Sequence, residues 1–370
     1  MNSVISFFTG AGFLDLGFEK AGYSIDMVNE YDADFLRGYR HSREHLGSPE
    51  PFYGHHLGSV EEFASEEYAI RLARIVADIR AQGRKVGFVG GPPCPDFSIA
   101  GKQAGFEGDN GRLSAVYSEL ILAIRPDFFV FENVKGLWST KVHREFYDRM
   151  KEAFVEGGYV LNDRLINALS YGVPQDRERI FLVGTLDASP DVPFRWDDQT
   201  VYKEDMTRLP WPKERDFSPD LDETEPPQGG FPVELTIEHW FVKNDVLNHP
   251  NGEMSFVPKS ERFETISEGN TSRKSFKRLH RWRYSPTAAY GNNEVHLHPY
   301  MPRRLSVAEA LAIQSLPASY ELPTDMTLSK CFKTIGNGVP YLAALGLAHT
   351  ITAYLEEQDA VRTPMLEAAE

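Results

Sequence analysis

Apolar residues cluster in short runs over the first half of the chain, at residues 4–8, 24–29, 86–90, 127–132, 159–169 and 179–184. Runs of this length, rich in Val, Ile and Phe and followed by glycine or polar residues, predict strands, several of them buried. Between them the spacing turns helical, most clearly at residues 113–124 and 143–156. Strands alternating with helices predict an α/β fold with a doubly wound sheet. The pattern breaks near residue 185, where residues 187–225 become proline-rich and acidic. After Pro340, residues 341–356 read as a helix, with the proline placed where a helix start tolerates it. Residues 360–370 are small and polar and are expected to fray. No internal repeat interrupts this organisation.

Chemistry enters at the strand ends. Gly90-Gly91-Pro92-Pro93-Cys94-Pro95 follows the run ending at Val89, so a thiol is displayed on a loop stiffened by prolines. Phe131-Glu132-Asn133-Val134 places a carboxylate at the end of another strand. In Gln175-Asp176-Arg177-Glu178-Arg179, alternation puts Arg177 and Arg179 on one strand face, a pairing suited to an anionic or carbonyl-rich ligand. Phe8-Thr9-Gly10-Ala11-Gly12-Phe13 is a glycine turn between the first strand and a helix, the usual ligand position in an open α/β sheet. A dinucleotide fingerprint would need glycine at position 15, where Asp15 stands, so NAD is disfavoured. Glu30 lies at the end of the second strand, where a carboxylate accepts from ribose hydroxyls.

Composition excludes more than it assigns. The 370 residues, 41% apolar, allow one large domain and a smaller one. Only Cys94 and Cys331 are present, far apart and in no metal-ligand spacing, so neither a disulfide framework nor a structural zinc is expected; no metal is expected at all, and Cys331 reads as packing. With neither an amino-terminal export pattern nor a run of about 18 apolar residues, a cytoplasmic protein without membrane contact is expected.

The net charge of −15, from 39 basic and 54 acidic side chains, argues against nucleic acid on average. Locally the balance inverts. From Thr271 to Asn293 there is no acidic residue, while Arg273, Lys274, Lys277, Arg278, Arg281 and Arg283 interleave with Phe276, Trp282 and Tyr284. Such a stripe is either a solvated face or a surface that tracks phosphates.

Taken in order, these motifs resemble those of the cytosine-C5 methyltransferase family, and the resemblance covers nearly the whole chain. Phe8 to Gly12 is similar to the family's cofactor loop, Glu30 to its ribose-binding acid, Pro93-Cys94 to its nucleophile loop, Glu132-Asn133-Val134 to its glutamate motif, and Gln175 to Arg179 to its QxRxR motif. Arg304 to Glu309 with Gln314-Ser315-Leu316-Pro317 resembles the ninth motif, and Gly336-Asn337-Gly338-Val339-Pro340 the tenth.

The resemblance implies a Rossmann-like catalytic domain over residues 1–185, a target-recognition domain over 186–325, and a last segment, 326–370, that returns to the catalytic domain. It implies S-adenosylmethionine as cofactor, held by Phe8, Gly10, Ala11, Gly12, Phe13, Glu30, Ser59, Pro93, Asn337 and Val339. Cys94 would attack cytosine C6, Glu132 would serve N3, and Arg179 the base's O2 carbonyl, with Arg177 either beside it or bracing the active-site loop. The base must be flipped out of the duplex to be reached, and residues 99–111, rich in glycine, would be the lid. Arg273, Lys274, Lys277, Arg278, Arg281 and Arg283 become DNA contacts, with Arg273, Arg281 and Arg283 as base readers and Arg278 as a phosphate contact. The expected partner is double-stranded DNA, near the nucleoid, for a monomer whose cognate restriction endonuclease need not bind it directly. A tRNA methyltransferase and a non-catalytic DNA-binding relative are the alternatives. Two positions depart from the family pattern: Pro95, where many members carry glutamine, and Ser59, where an acid usually meets the adenine amino group.

Overall fold

A computed structural model describes residues 1–93, 109–219, 225–273, 275–288, 290 and 296–367. Its centre is a seven-stranded sheet of β1 (Ser3–Phe7), β2 (Ser24–Glu30), β3 (His55–Leu57), β4 (Val86–Gly90), β5 (Phe128–Val134), β6 (Tyr159–Asn167) and β8 (Glu178–Leu186), with β7 (Gln175–Asp176) just before the last. The order is β3-β2-β1-β4-β5-β8-β6. Strands β1 to β5 run parallel, and β8 lies antiparallel between β5 and β6. The expected α/β doubly wound sheet is present. The six strands read from the sequence are found, with ends shifted by at most two residues. The short edge strand β3 was not expected.

The near-continuous apolarity of these strands follows from burial on both faces. Ile5, Phe7, Phe88, Phe129 and Phe131 point to one side, under α3 (Glu66–Ala81), α4 (Asp109–Ile124) and α6 (Lys141–Glu156). Val4, Val28, Val89, Phe128 and Val130 point to the other, under α1 (Phe13–Lys20), α2 (Ala33–His45) and α11 (Tyr341–Glu367). Helix α11 is longer than the sequence pattern suggested and continues through much of the tail expected to fray. A short helix, α5 (Lys135–Ser139), leads from β5 towards α6.

A third apolar core joins α7 (Ile237–Lys243), α9 (Val307–Ile313) and α10 (Leu328–Asn337) to Ala11, Phe13, Leu16 and Phe35. Residues 305–335 therefore pack directly on the start of α1. Cys331 is buried there, and burial pushes its thiol up to about 11, in keeping with its reading as packing. The remainder of residues 186–304 carries α8 (Arg262–Thr265) and three two-residue strands, β9 (Lys277–Arg278), β10 (Ser285–Pro286) and β11 (His296–Leu297). Two small clusters, around Trp211 and Trp282 and around Phe263 and Leu297, hold it together. Among the described residues, no helix is long and apolar enough to cross a membrane.

Candidate active site

The strand order reverses between β1 and β4, so the carboxyl ends of β1, β2, β4 and β5 open onto one crevice, the preferred ligand position of such sheets. The chain leaves β1 with Phe8, Gly10 and Gly12 all at positive φ, 54°, 57° and 81°, which turns it sharply into α1. Gly12 needs more than its φ: a Cβ there would lie 2.4 Å from the Tyr39 ring. The loop's outward carbonyls are held from behind. Arg43 Nη2 donates to the Gly12 carbonyl at 2.8 Å, and the Tyr320 hydroxyl donates to that of Ala11 at 2.6 Å. Inside the turn, buried Asp15 accepts from the hydroxyls of Ser6, at 2.7 Å, and Thr9. Burial raises the Asp15 pKa, with Arg43 opposing.

Glu30 closes the crevice's floor. One carboxylate oxygen accepts from Gly10 N–H at 2.7 Å and the other from Asp32 N–H at 2.8 Å. Backbone N–H groups thus take most of its acceptor capacity and leave room for a further donor. Ser59, two residues past the end of β3, spends its hydroxyl on its own turn, accepting from Glu61 N–H at 3.3 Å and donating to the Glu61 carboxylate at 3.2 Å. Asn337 is exposed at the end of α10, and Val339 is buried in the core behind the loop. Pro93 is exposed at the mouth of the crevice.

The second half of the site is built by register. On antiparallel β5 and β8, Glu132 faces Phe181 and Val134 faces Arg179, which puts Glu132 and Arg179 on one face as diagonal neighbours. Arg179 Nε lies 3.1 Å from Glu132 Oε1. Parallel pairing of β4 with β5 brings Gly90 beside Phe131, so the chain emerging from β4 crosses the glutamate. A Cβ on Gly91 would stand 2.6 Å from Glu132 Oε2, so the carboxylate rests on bare backbone three residues before Cys94. Cys94 itself, and residues 99–108 of the expected lid, lie outside the described residues. The lid's remaining residues, 109–111, belong to α4 and are helical rather than loop. Burial raises the Glu132 pKa, countered by Arg179 and then Arg177, so this acid holds its proton more tightly than an exposed one.

Among the described residues, Arg177 acts as a brace, but of segments other than the loop that carries Cys94. The strand breaks there into β7 and β8, and its fully buried guanidinium donates to the carbonyls of Ala288 at 3.1 Å, Gly336 at 2.8 Å and Gly338 at 3.0 Å. Gln175 does similar work, accepting from Ala288 N–H at 2.9 Å and donating to Gln314 Oε1 at 3.2 Å. The motif thus sends Arg179 to the site and uses Gln175 and Arg177 to tie three distant segments behind it. Asp15, Tyr39, Arg43 and Tyr320 were not singled out in the sequence. Only the polar character of Asp15 inside an apolar helix start signalled any of them.

The basic stripe divides. Arg278, expected to touch phosphate, is 0% exposed; it donates to the carbonyls of Ile266 at 2.7 Å, His298 at 2.6 Å, Met301 at 3.1 Å and Phe263. Arg281, expected to read bases, is 2% exposed and ion-paired to buried Glu268 at 3.1 Å, which also holds Arg215 at 2.9 Å. Neither presents its charge to a partner, which corrects both expectations. The cause is local: where strands are two residues long, carbonyls lack ladder partners, and the five-donor guanidinium supplies them. Arg273 is exposed, Lys277 and Arg283 are partly so, and Lys274 lies outside the described residues.

Comparisons with known proteins give the family and the fold. A family profile described as C-5 cytosine-specific DNA methylase matches residues 2–353. The chain is 54% identical over 357 residues to the Type II methyltransferase M.NmeDI of Neisseria meningitidis serogroup C, covering 95% of this chain and 84% of that protein. It is 29% identical to the Type II methyltransferase M.FnuDI of Fusobacterium nucleatum, covering 97% and 96% of the two chains. Among solved structures it superposes, with a TM-score of 0.62 and 22% identity over 96% of this chain and 100% of the other, on a candidate DNA modification methyltransferase encoded within an E. coli prophage.

Proposed function

Because the chain belongs to the C-5 cytosine-specific DNA methylase family and is a DNA cytosine methyltransferase, we propose that it methylates C5 of one cytosine in a short duplex sequence through a covalent Cys94 adduct, and that it serves a Type II restriction–modification system. The observation that carries this reading is the Glu132–Arg179 pair resting on Gly91 at the head of the Cys94 loop.

Cytosine C5 is a poor nucleophile until the ring's aromaticity is interrupted. Cys94 thiolate forms a bond to C6, and the displaced π electrons develop at C5 and N3. Glu132, its pKa raised by burial, donates its proton or a hydrogen bond to N3, where that charge appears. Arg179, fixed against Glu132, directs N–H donors at the O2 carbonyl and stabilises the same charge. C5 takes the methyl group; the C5 proton then leaves to a base, the C6–sulfur bond breaks, and aromaticity returns. Cytosine inside a duplex cannot enter this crevice, so the base is flipped out.

S-Adenosylmethionine supplies the electrophilic methyl when bound, and the residues present fit it. Glu30 retains lone pairs for ribose hydroxyls. Buried Thr334 Oγ1 has no hydrogen-bond partner and lies 3.7 Å from where a side chain on Gly10 would begin, so a polar group in the crevice would satisfy it. Since Ser59 is turned to Glu61, the adenine contact assigned to it falls instead to its neighbourhood. Residues 186–325 are the proposed DNA-reading region, with Arg273, Lys277 and Arg283 as the less buried cations of the basic stripe.

Bisulfite sequencing of plasmid DNA incubated with the purified chain and S-adenosylmethionine tests the proposal. Protection of cytosines in one recurring context is expected, and none with Cys94→Ser. Methylation by that variant would refute the covalent route, and protection seen on transfer RNA alone would reassign the substrate.

A further inference from the structure

Away from the methyl-transfer crevice, His41 and His45 stand one turn apart on α2, and Glu321 reaches both from the segment between α9 and α10. The Nδ1 of His45 lies 2.8 Å from the His41 carbonyl, which can only accept, so the proton sits on Nδ1 and Nε2 offers a lone pair. That Nε2 lies 2.6 Å from Glu321 Oε1. Two lone-pair atoms so close require a cation between them. His41 Nε2 stands 3.7 Å from the same oxygen. A second proton on His45 would serve one of these contacts and leave His41 idle; a metal ion would use all three.

The dimensions suit an ion. Donor atoms around a tetrahedral ion with bonds of about 2.0–2.2 Å sit roughly 3.4 Å apart; Glu321 Oε1 lies 2.6 Å and 3.7 Å from the two imidazole nitrogens, and all three atoms lie within 4.8 Å of one another. Small side-chain rotations close the difference. The hydrogen bond from His45 Nδ1 to a backbone carbonyl is the outer support that orients a ligating imidazole. A cleft of about 550 Å³, lined in part by Arg40, His41, Glu44 and Thr324, opens beside His41. The neighbouring cation Arg37 is already neutralised by Asp325, at 2.8 Å to both carboxylate oxygens. We propose that His41, His45 and Glu321 bind a divalent transition-metal ion of the imidazole-seeking class, such as Zn²⁺, and so staple α2 to the segment carrying Glu321.

The position gives the staple a purpose. On α2, Arg43 donates to the Gly12 carbonyl, and Tyr39 packs against Gly12; beside Glu321, Tyr320 donates to Ala11. The ion joins the two walls that brace the cofactor loop from behind and takes no part in the chemistry.

The untagged full chain, stripped with a chelator, should be titrated with ZnCl₂ by calorimetry, with NiCl₂ in parallel. One ion per chain and a raised thermal midpoint are expected. In His41→Ala and His45→Ala the affinity should fall at least about tenfold and the midpoint rise should vanish. Glu321→Gln, nearly isosteric, should weaken binding while keeping the circular dichroism of the parent. Absence of saturable binding, or equal binding by the double histidine variant, overturns the proposal. So does an ion without effect on a midpoint that His45→Ala lowers equally with and without metal, which would assign the bridge to a proton.

Discussion

Arg179 and Arg278 are both arginines on strands with another basic residue within two positions, yet one faces a carboxylate in an open crevice and the other is sealed among carbonyls. The difference lies in the backbone around them. Along β5 and β8 the ladder satisfies the main chain for seven consecutive pairs, and side chains are left for chemistry. Around β9 and β11 the ladder is two residues long, and side chains must finish the work of the main chain. A buried arginine is therefore a candidate reagent in a long sheet and a brace in an irregular region. Arg177, at the break between β7 and β8, behaves as the second kind inside the first region.

The comparison breaks most visibly at Glu132. Glu132→Gln removes the proton donor to N3 while keeping the shape of the pair with Arg179, and should lower the single-turnover methylation rate about 10²- to 10⁴-fold. S-Adenosylmethionine affinity should stay within a few fold. A rate unchanged in this variant would make the pair mere scaffolding. Arg278→Ala should do the reverse: four orphaned carbonyls, at about 1–3 kcal/mol for each that water cannot reach, predict a loss of roughly 3–5 kcal/mol in denaturant unfolding. Full stability with weakened DNA binding would restore Arg278 to the surface role first expected of it.

How far the sequence revealed this molecule follows the same line. The strands were legible because burial on both faces writes them as apolar runs, and the meeting of Glu132 with Arg179 because both stand at strand ends on one edge of the sheet. Strand β3, His55–Leu57, carries no such run, and only its pairing with β2 makes it a strand. The partners of Arg177, at 288, 336 and 338, and those of Arg278, at 263 and 266 and at 298 and 301, are set by tertiary structure, which no local pattern encodes. Tyr39, Arg43 and Tyr320 were hidden for that reason, since their role is to hold a loop remote in sequence.

Acid should separate the two regions. His296 is buried with neither ring nitrogen hydrogen-bonded, and burial, with Lys277 beside it, pulls its pKa down to about 3. The unfolded chain takes up that proton near pH 6.5, so the stability is full above 6.5 and is lost as pH falls towards 3, by up to about 1.4 kcal/mol per unit. Burial pushes Glu309 up, but His298 and Arg303 outweigh it and hold it at about 2, which adds a loss between about pH 4.5 and 2. Glu30 and Glu132, with pKa values raised mainly by burial, act in the opposite sense: their contribution is present below the unfolded value and is lost as pH rises through the folded one. Between pH 7 and 5.5, His296 alone should cost about 1 kcal/mol of unfolding free energy. His296→Phe should remove that part of the slope, and an identical slope in the variant would place the acid sensitivity elsewhere.

The smallest effect belongs to the cations that stayed outside. Arg273 is exposed and starts the same stripe that buries Arg278 and Arg281. With a net charge of −15, the chain approaches DNA against its own average field, so each outward cation at the contact should register in the salt dependence. Arg273→Ala should leave unfolding within about 0.5 kcal/mol of the parent. It should also weaken duplex binding a few fold, equally on all sequences, and flatten the slope of log affinity against log salt by about 0.9, the value for one phosphate contact. A change of sequence preference instead would make Arg273 a base reader. An unchanged slope would remove the stripe from the interface, because a surface that meets phosphates cannot lose a cation without releasing one counterion fewer.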